Sequence, residues 1–272
     1  MKSSTPLRYP GGKTKLYGFV ENLIEKNFEL APVYCEPFSG GFGIGIKLLL
    51  NNKVSKVYIN DLDSAIYAFW YSILNHKDDF INMIRNTEVT IEEWKRQKEL
   101  YLSNETSILE KGFATFFLNR TNRSGILKAG PIGGANQNGN YKIDCRFKKE
   151  PLIKAIEDIY SNREFITVSM VDGKDFIKHI DETEENAFIY LDPPYVKEGK
   201  GLYKNSFTNQ DHKDLAKVVS TLRNKWFVTY DDEPLIEELY KDFHINRFDI
   251  TYTVQTKRSA NELAVFSPQI IM

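Results

Sequence analysis

"FIYLDPPYV" (188–196) places an aspartate, two prolines and a tyrosine directly behind a run of apolar, β-prone residues. The run has the length of a buried strand, and Pro193 and Pro194 cannot extend its hydrogen-bonded ladder. Alone, it reads as a strand ending in a turn that Asp192 opens. The run itself is "AFIYLD" (187–192), and similar ones occur at "VYCEPF" (33–38), "KVYIND" (56–61), "FITVSMVD" (165–172) and "KWFVTYD" (225–231). Each ends in an acidic residue or a turn, and helix-length segments separate most of them. This alternation predicts an α/β fold, a parallel sheet with helices on both faces. The tail, "HINRFDITYTV" (244–254) then "NELAVFS" (261–267), predicts an antiparallel hairpin at a sheet edge.

A chain of 272 residues makes one large domain, or one domain carrying a smaller insert. With 42% apolar and 27% charged residues it has the composition of a globular protein. The net charge of −1 gives no global attraction for a polyanion, so any nucleic-acid contact must rest on local positive charge. Cys35 and Cys145 form no Cys-x-x-Cys pattern and the four histidines show no ligand spacing. The expectation is therefore no metal and no disulfide framework. "MKSSTPLRYPGGKTKL" lacks the apolar run of a signal peptide, and no stretch approaches the roughly 18 apolar residues of a membrane span. A cytoplasmic protein with no membrane partner is expected.

Residues 62–160 break the alternation. "AIYAFWYSIL", "DDFINMIR" and "TIEEWKRQKELYL" carry helical apolar spacing, the last with Thr90 and Glu93 in capping-box positions. A further helix, "ILEKGFATFFLNR" (108–120), runs into a stretch rich in Gly, Asn, Lys and Arg, which reads as an extended hairpin or loop. The predicted organisation is a core of 1–61 and 161–272 interrupted by an insert of 62–160.

"EPFSGGFGIGIKLLL" (36–50) follows a predicted strand and opens a helix. Gly40, Gly41 and Gly43 let the backbone turn sharply and approach a ligand, and the helix N-terminus offers unpaired N–H groups. The pattern departs from the dinucleotide fingerprint G-x-G-x-x-G. Glu36, ahead of Pro37 and Phe38, would repel a pyrophosphate and suits a ligand carrying positive charge, such as an amino-acid ammonium. At the end of the next strand, Asp61 can accept both hydroxyls of a ribose, although Asp61 or Asp63 can equally cap the following helix. The two sites together describe a pocket for a nucleoside joined to an amino acid. S-adenosylmethionine is such a molecule.

"RYPGGK" (8–13), "EPFSGGFGIG" (36–45), "YIND" (58–61) and "LDPPY" (191–195), in this order, closely resemble the motifs of the Dam-type DNA adenine methyltransferases. These are the α group of amino-methyltransferases, marked by DPPY. The resemblance implies a Rossmann-like methyltransferase core, S-adenosylmethionine as methyl donor, and a small helical and β-hairpin target-recognition insert between Asp61 and DPPY. Tyr9 and Lys13 match the aromatic and the last lysine of the family's K-W-x-G-G-K segment; Tyr for Trp is a departure that keeps a stacking face. Lys13 would lie near the methionine carboxylate or the target adenine. Asp175 and Phe176 resemble the pair that contacts the cofactor adenine, with Asp172 a rival. The cofactor set is thus Tyr9, Lys13, Glu36–Phe38, the three glycines, Asp61, Asp175, Phe176 and Asp192.

The exocyclic amine of adenine is a poor nucleophile because its lone pair is delocalised into the ring. Asp192 and the carbonyl of Pro193 can accept its hydrogens and free that lone pair, while Pro193 and Pro194 keep the acceptors rigid. Tyr195 offers a face for an extruded base. Methyl transfer is then a direct displacement with no covalent enzyme intermediate. A cytosine N-4 methyltransferase is the near alternative, although Ser-Pro-Pro-Tyr is commoner there. A catalytically relic DNA-binding protein and a nucleotide-binding oxidoreductase are the readings from other classes, disfavoured by the intact motifs and by Glu36.

From Lys111 to Lys149 there are eight Lys or Arg against one acid, Asp144, a net +7 in a near-neutral chain. "NRTNRSGI" (119–126) and "CRFKK" (145–149) resemble segments flanking the family's DNA-contacting hairpin. Asn122, Arg123 and Arg146 are accordingly the first expected contacts to double-stranded DNA, since Arg reads guanine and Asn reads adenine. Arg120, Lys128, Lys142, Lys148 and Lys149 complete the basic surface. "VKEGKGLYKNSFTNQDHKDL" (196–215) reads as a loop closing over the target base, with Tyr203 and Phe207 as stacking partners, or as plain surface. A restriction endonuclease acting on the same site is the protein partner such a resemblance allows.

Overall fold

The computed structural model describes residues 5–8, 13–197, 207–254 and 256–272; Tyr9 and Tyr203 lie outside them. The chain forms α1 (Tyr17–Asn27), β1 (Val33–Glu36), α2 (Gly43–Leu50) and β2 (Lys56–Asn60). Next come α3 (Ser64–Asn75), α4 (Lys77–Asn86), α5 (Ile91–Leu102), α6 (Ile108–Thr121) and α7 (Lys149–Ser161). It continues through β3 (Ile166–Ser169), α8 (Gly173–Thr183), β4 (Ala187–Leu191), α9 (Asn209–Val219) and β5 (Lys225–Asp231). It ends with α10 (Pro234–Leu239), β6 (His244–Val254) and β7 (Thr256–Phe266). Two compact units result, Lys13–Asp63 with Phe165–Met272, and Ser64–Glu164 with the N-terminal segment that includes residues 5–8.

The first unit is the α/β body that the alternation predicts. Its sheet runs β3-β2-β1-β4-β5-β7-β6, with β3 through β5 parallel and β7 antiparallel to both neighbours. All five residues of β4 are buried, which is why "AFIYL" reads as a continuous apolar run and not as an alternation. Ile189 and Leu191 share one core cluster with Val228, Leu263 and the α8 and α9 residues Ile180 and Leu215. Strand order reverses between β1 and β4, the switch point at which α/β sheets bind ligands beyond their strand C-termini. Glu36 ends β1 and Asp192 follows β4, so both chemical motifs arrive there.

The second unit is helical, with a phenylalanine core. The rings of Phe69 (α3) and Phe116 (α6) stack at 6.0 Å, and Phe147 closes on Phe116 and Phe117 at 5.4 Å each. Thr90 caps α5 by accepting the Glu93 N–H at 3.1 Å. Glu93, however, turns forward to Arg96 and Gln97, so only half of the predicted box forms. The complete box is Ser107 with Glu110 at the start of α6. The basic stretch after α6 is a loop and not a hairpin: among the described residues its strand pairing is confined to the bridge Asn122–Pro131. Its glycines explain this, since Gly133 and Gly134 adopt positive φ, which interrupts an extended ladder.

Gly112 sets the closeness of α3 and α6. A Cβ there would lie 2.5 Å from the Ala68 carbonyl oxygen and 2.6 Å from Ser72 Oγ. Backbone cannot yield without parting the helices, so Gly112→Ala is expected to cost about 1–3 kcal/mol in urea unfolding. Gly18→Ala in α1, where nothing lies within 4 Å, serves as the control and should not destabilise.

Candidate active site

The turn after β4 is held from beneath by a buried relay. Thr229 Oγ1 of β5 donates to Asp192 Oδ1 at 2.8 Å and lies 2.9 Å from the Tyr190 hydroxyl, which completes the chain. Lys13 Nζ stands 3.4 Å from the same oxygen. Among the described residues, Asp192 Oδ2 receives no hydrogen bond, leaving one carboxylate oxygen open above a fixed one. Pro193 is buried and anchors the turn.

Lys13 does not sit on a free loop. Its ammonium donates to Glu262 Oε2 at 2.7 Å, makes a short contact with the Tyr195 hydroxyl, and lies 4.9 Å from the centre of the Tyr195 ring. Tyr195 in turn donates to Glu262 Oε1 at 2.9 Å. Burial, with the negative charges of Asp192 and Glu262, pushes the Tyr195 hydroxyl well above its ordinary pKa, so it remains a donor. Burial raises the Glu262 carboxyl too, and the Lys13 ammonium opposes that rise. Glu262, Thr229 and Tyr190 were absent from the expected site. The signal for Glu262 is a carboxylate at the head of the apolar run Leu263–Phe266, a position tolerated when the charge is paired.

The glycine loop lies beyond β1. Gly40 takes φ 47 and Phe42 takes φ 45, so a non-glycine residue also occupies the left-handed region as α2 begins. Asp61 ties this loop to β2: Oδ2 accepts from the Gly40 N–H and Oδ1 from the Asp63 N–H, both at 2.9 Å. Burial raises the Asp61 carboxyl to about 6, and those two N–H groups moderate the rise. Among the described residues, the buried Ser39 Oγ has no hydrogen-bond partner, an unmet polar atom beside the loop. Glu36 Oε1 accepts from the Tyr34 hydroxyl at 2.8 Å. Burial pushes the Glu36 carboxyl up to about 8, Asp192 adding to the effect.

That shift has a consequence for stability. The folded carboxyl keeps its proton up to about pH 8, whereas an ordinary one releases it near 4.5. Between these values the folded state binds more protons, so stability falls as pH rises across the window, by at most about 1.4 kcal/mol per pH unit. In urea unfolding at a series of pH values, Glu36→Gln should flatten that decline.

Helix α8 corrects part of the expected cofactor set. Phe176 is 3% exposed and packs into the core cluster, so its ring supports the sheet and presents no ligand face. Asp175 is exposed in the first turn of α8. Asp172 caps the helix through Lys174 N–H at 2.8 Å. The aromatic neighbours here are Phe38 and Phe207, edge to face at 5.7 Å, with Phe38 lying against Gly173.

In the helical unit, Asn122 is fully buried and its amide is fully engaged. It accepts from Trp94 Nε1 at 2.6 Å and donates to the carbonyls of Ile126 and Leu127. It orders the loop and cannot read a base, which corrects the expectation. Arg123, Lys128, Lys142, Arg146 and Lys148 are exposed. Arg120 Nε donates to the Arg146 carbonyl at 2.8 Å, and its guanidinium is pushed down to about 10 by burial, then by Arg8 and Arg146. Among the described residues no carboxylate pairs with any of these three arginines. Burial, then neighbouring guanidinium charge, lowers the pKa of both Arg8 and Arg120, and such a cluster suits an anion.

A family model described as D12 class N6 adenine-specific DNA methyltransferase matches residues 9–254. The chain is 25% identical over 275 residues to a type II methyltransferase of Lactococcus lactis subsp. cremoris, covering 93% of this chain and 90% of that protein. It is 27% identical over 224 residues to a type II methyltransferase of Methanocaldococcus jannaschii, covering 76% and 74%. It is 24% identical over 250 residues to the retron Ec67 DNA adenine methylase of Escherichia coli, covering 88% and 81%. The matched residues take in the glycine loop, Asp61, the basic loop and the Asp192–Tyr195 turn, and the chain belongs to the D12 class N6 adenine-specific DNA methyltransferase family.

Proposed function

We propose that Asp192 and the carbonyl of Pro193 accept the hydrogens of the 6-amino group of an adenine extruded from double-stranded DNA. The observation that carries this reading is the Asp192 carboxylate itself, one oxygen fixed by Thr229 and the other open. Drawing the amine hydrogens toward these acceptors localises the nitrogen lone pair. The prolines hold the acceptors in place, so little reorganisation is needed when charge develops. The Tyr195 ring, its hydroxyl fixed by Glu262, is the aromatic neighbour such a base meets.

S-adenosylmethionine is the donor that the residues fit, and when bound it supplies the methyl group on an electrophilic sulfonium. The glycine loop and the unpartnered Ser39 hydroxyl suit its close approach. Each Asp61 oxygen keeps a lone pair for a ribose hydroxyl, and Glu36 becomes a carboxylate when an ammonium lies beside it. Arg8, Arg120 and Arg146 hold backbone phosphates, leaving Arg123 as the first choice for base reading. The type II naming of relatives supports a restriction endonuclease of the same specificity as partner. The test is to incubate plasmid DNA from a host lacking adenine methylation with protein and S-adenosylmethionine, then sequence it for modified adenines. Expected is modification within one short sequence; modification scattered over all sequences, or none, contradicts the reading.

No helix among the described residues is long and apolar enough to cross a membrane.

A further inference from the structure

Beyond holding the Tyr195 hydroxyl, Glu262 has no part in the chemistry described so far, yet it is 1% exposed and takes a hydrogen bond on each carboxylate oxygen. It lies on β7 opposite Asp231 of β5, between the exposed Asn261 and the buried apolar run Leu263–Phe266. A buried ion pair is weak evidence for stability, because apolar residues of similar volume commonly replace it without loss. The contacts at this position define a task instead. Oε2 takes the Lys13 ammonium at 2.7 Å and Oε1 takes the Tyr195 hydroxyl at 2.9 Å. Lys13 thus stands between two carboxylates, nearer to Glu262 than to Asp192, which is 3.4 Å away.

We infer that Glu262 is a positioning residue for methyl transfer: it draws the Lys13 ammonium away from Asp192 and fixes the Tyr195 hydroxyl, keeping an Asp192 oxygen open to the target amine. The inference rests on the role given to Asp192 above. Coulomb attraction grows as separation shrinks and is strong where water is excluded. With Glu262 neutral, Asp192 is the one carboxylate left to Lys13 among the described residues, and the ammonium closes onto it. The acceptor then becomes part of an ion pair, and its hold on the amine hydrogens weakens. Tyr195 loses its fixed acceptor in the same step.

The test uses the full chain, S-adenosylmethionine and adenine-unmethylated plasmid DNA, comparing wild type, Glu262→Gln, Lys13→Met and the double variant. Turnover is measured beside cofactor binding by calorimetry and folding by circular dichroism. If wild type places no methyl on adenine, the functional reading fails, independently of Glu262. Given wild-type activity, Glu262→Gln is expected to lower kcat about 10- to 100-fold, with KM for DNA and the cofactor Kd unchanged. Because Glu262 acts in part through Lys13, the loss from Glu262→Gln is expected to be smaller in the Lys13→Met background than in wild type. Unchanged kcat in Glu262→Gln, a loss confined to KM, or losses that multiply in the double variant overturn the inference. Should Glu262→Gln fail to fold, Tyr195→Phe cuts the hydroxyl link and leaves the ring. The same loss in kcat alone is expected, and an unchanged kcat overturns the proposal.

Discussion

Asp192→Ala is expected to lower the rate of methyl transfer by about 10²–10³-fold, and by more if Asp192 and the Pro193 carbonyl act as a unit. The carboxylate is held by Thr229 and bordered by Lys13; among the described residues none of its hydrogen bonds or ion pairs reaches the glycine loop or Asp61, and it acts on Glu36 through charge alone. Removing it deletes an acceptor for the amine while the groups proposed to hold the cofactor remain. S-adenosylmethionine affinity measured by calorimetry should therefore stay near that of wild type. Asp192→Asn is the sharper companion, since it keeps the Thr229 contact and the shape but removes the charge. Near-normal turnover by either variant on duplex DNA rules out the proposed mechanism.

Asp61→Ala is expected to weaken S-adenosylmethionine binding by about one to two decades, the cost of losing hydrogen bonds to a charged group, roughly 1.5–3 kcal/mol. Two effects act in the same direction here. The ribose loses its acceptor, and Gly40 loses the carboxylate that holds its N–H, so the glycine loop is no longer preformed. With the carboxyl raised to about 6, binding should also weaken as pH falls below that value, because the protonated acid is a poorer acceptor. Asp61→Asn should bind weakly and lose that pH dependence. Unchanged calorimetric affinity in Asp61→Ala leaves Asp61 as a loop tether only.

The sheet was legible because each of its parallel strands is a short β-prone run closed by an acid or a turn, and because DPPY and the glycine loop mark two adjacent strand ends. The helical unit was legible in its helices, where α4 buries one apolar stripe and α6 is buried almost all round, but not in its basic loop. There, glycine and asparagine permit many conformations, and burial decided the outcome: Asn122, polar and next to arginines, turned inward to bond Trp94 and two carbonyls. Phe176 shows the same limit, since a phenylalanine beside an aspartate reads alike whether it faces a ligand or a core. Glu262 was missed for a different reason. Its partners lie at Lys13 and Tyr195, distant in sequence, and only the antiparallel return of β7 beside β5 brings it to them. Thr229 likewise read as one residue of a strand, and its hydroxyl gains meaning only from the register that sets β5 against β4.

The most direct measurement is the identity of the methylated atom. Duplex plasmid DNA lacking adenine methylation is incubated with the protein and S-adenosylmethionine carrying an isotopically labelled methyl group, digested to nucleosides and resolved by mass spectrometry. The expected result is label on N6 of deoxyadenosine with wild type and its loss with Asp192→Ala, whose cofactor binding persists. Label on N4 of deoxycytidine, or undiminished label on adenine with Asp192→Ala, contradicts the assignment of Asp192 to the adenine amine.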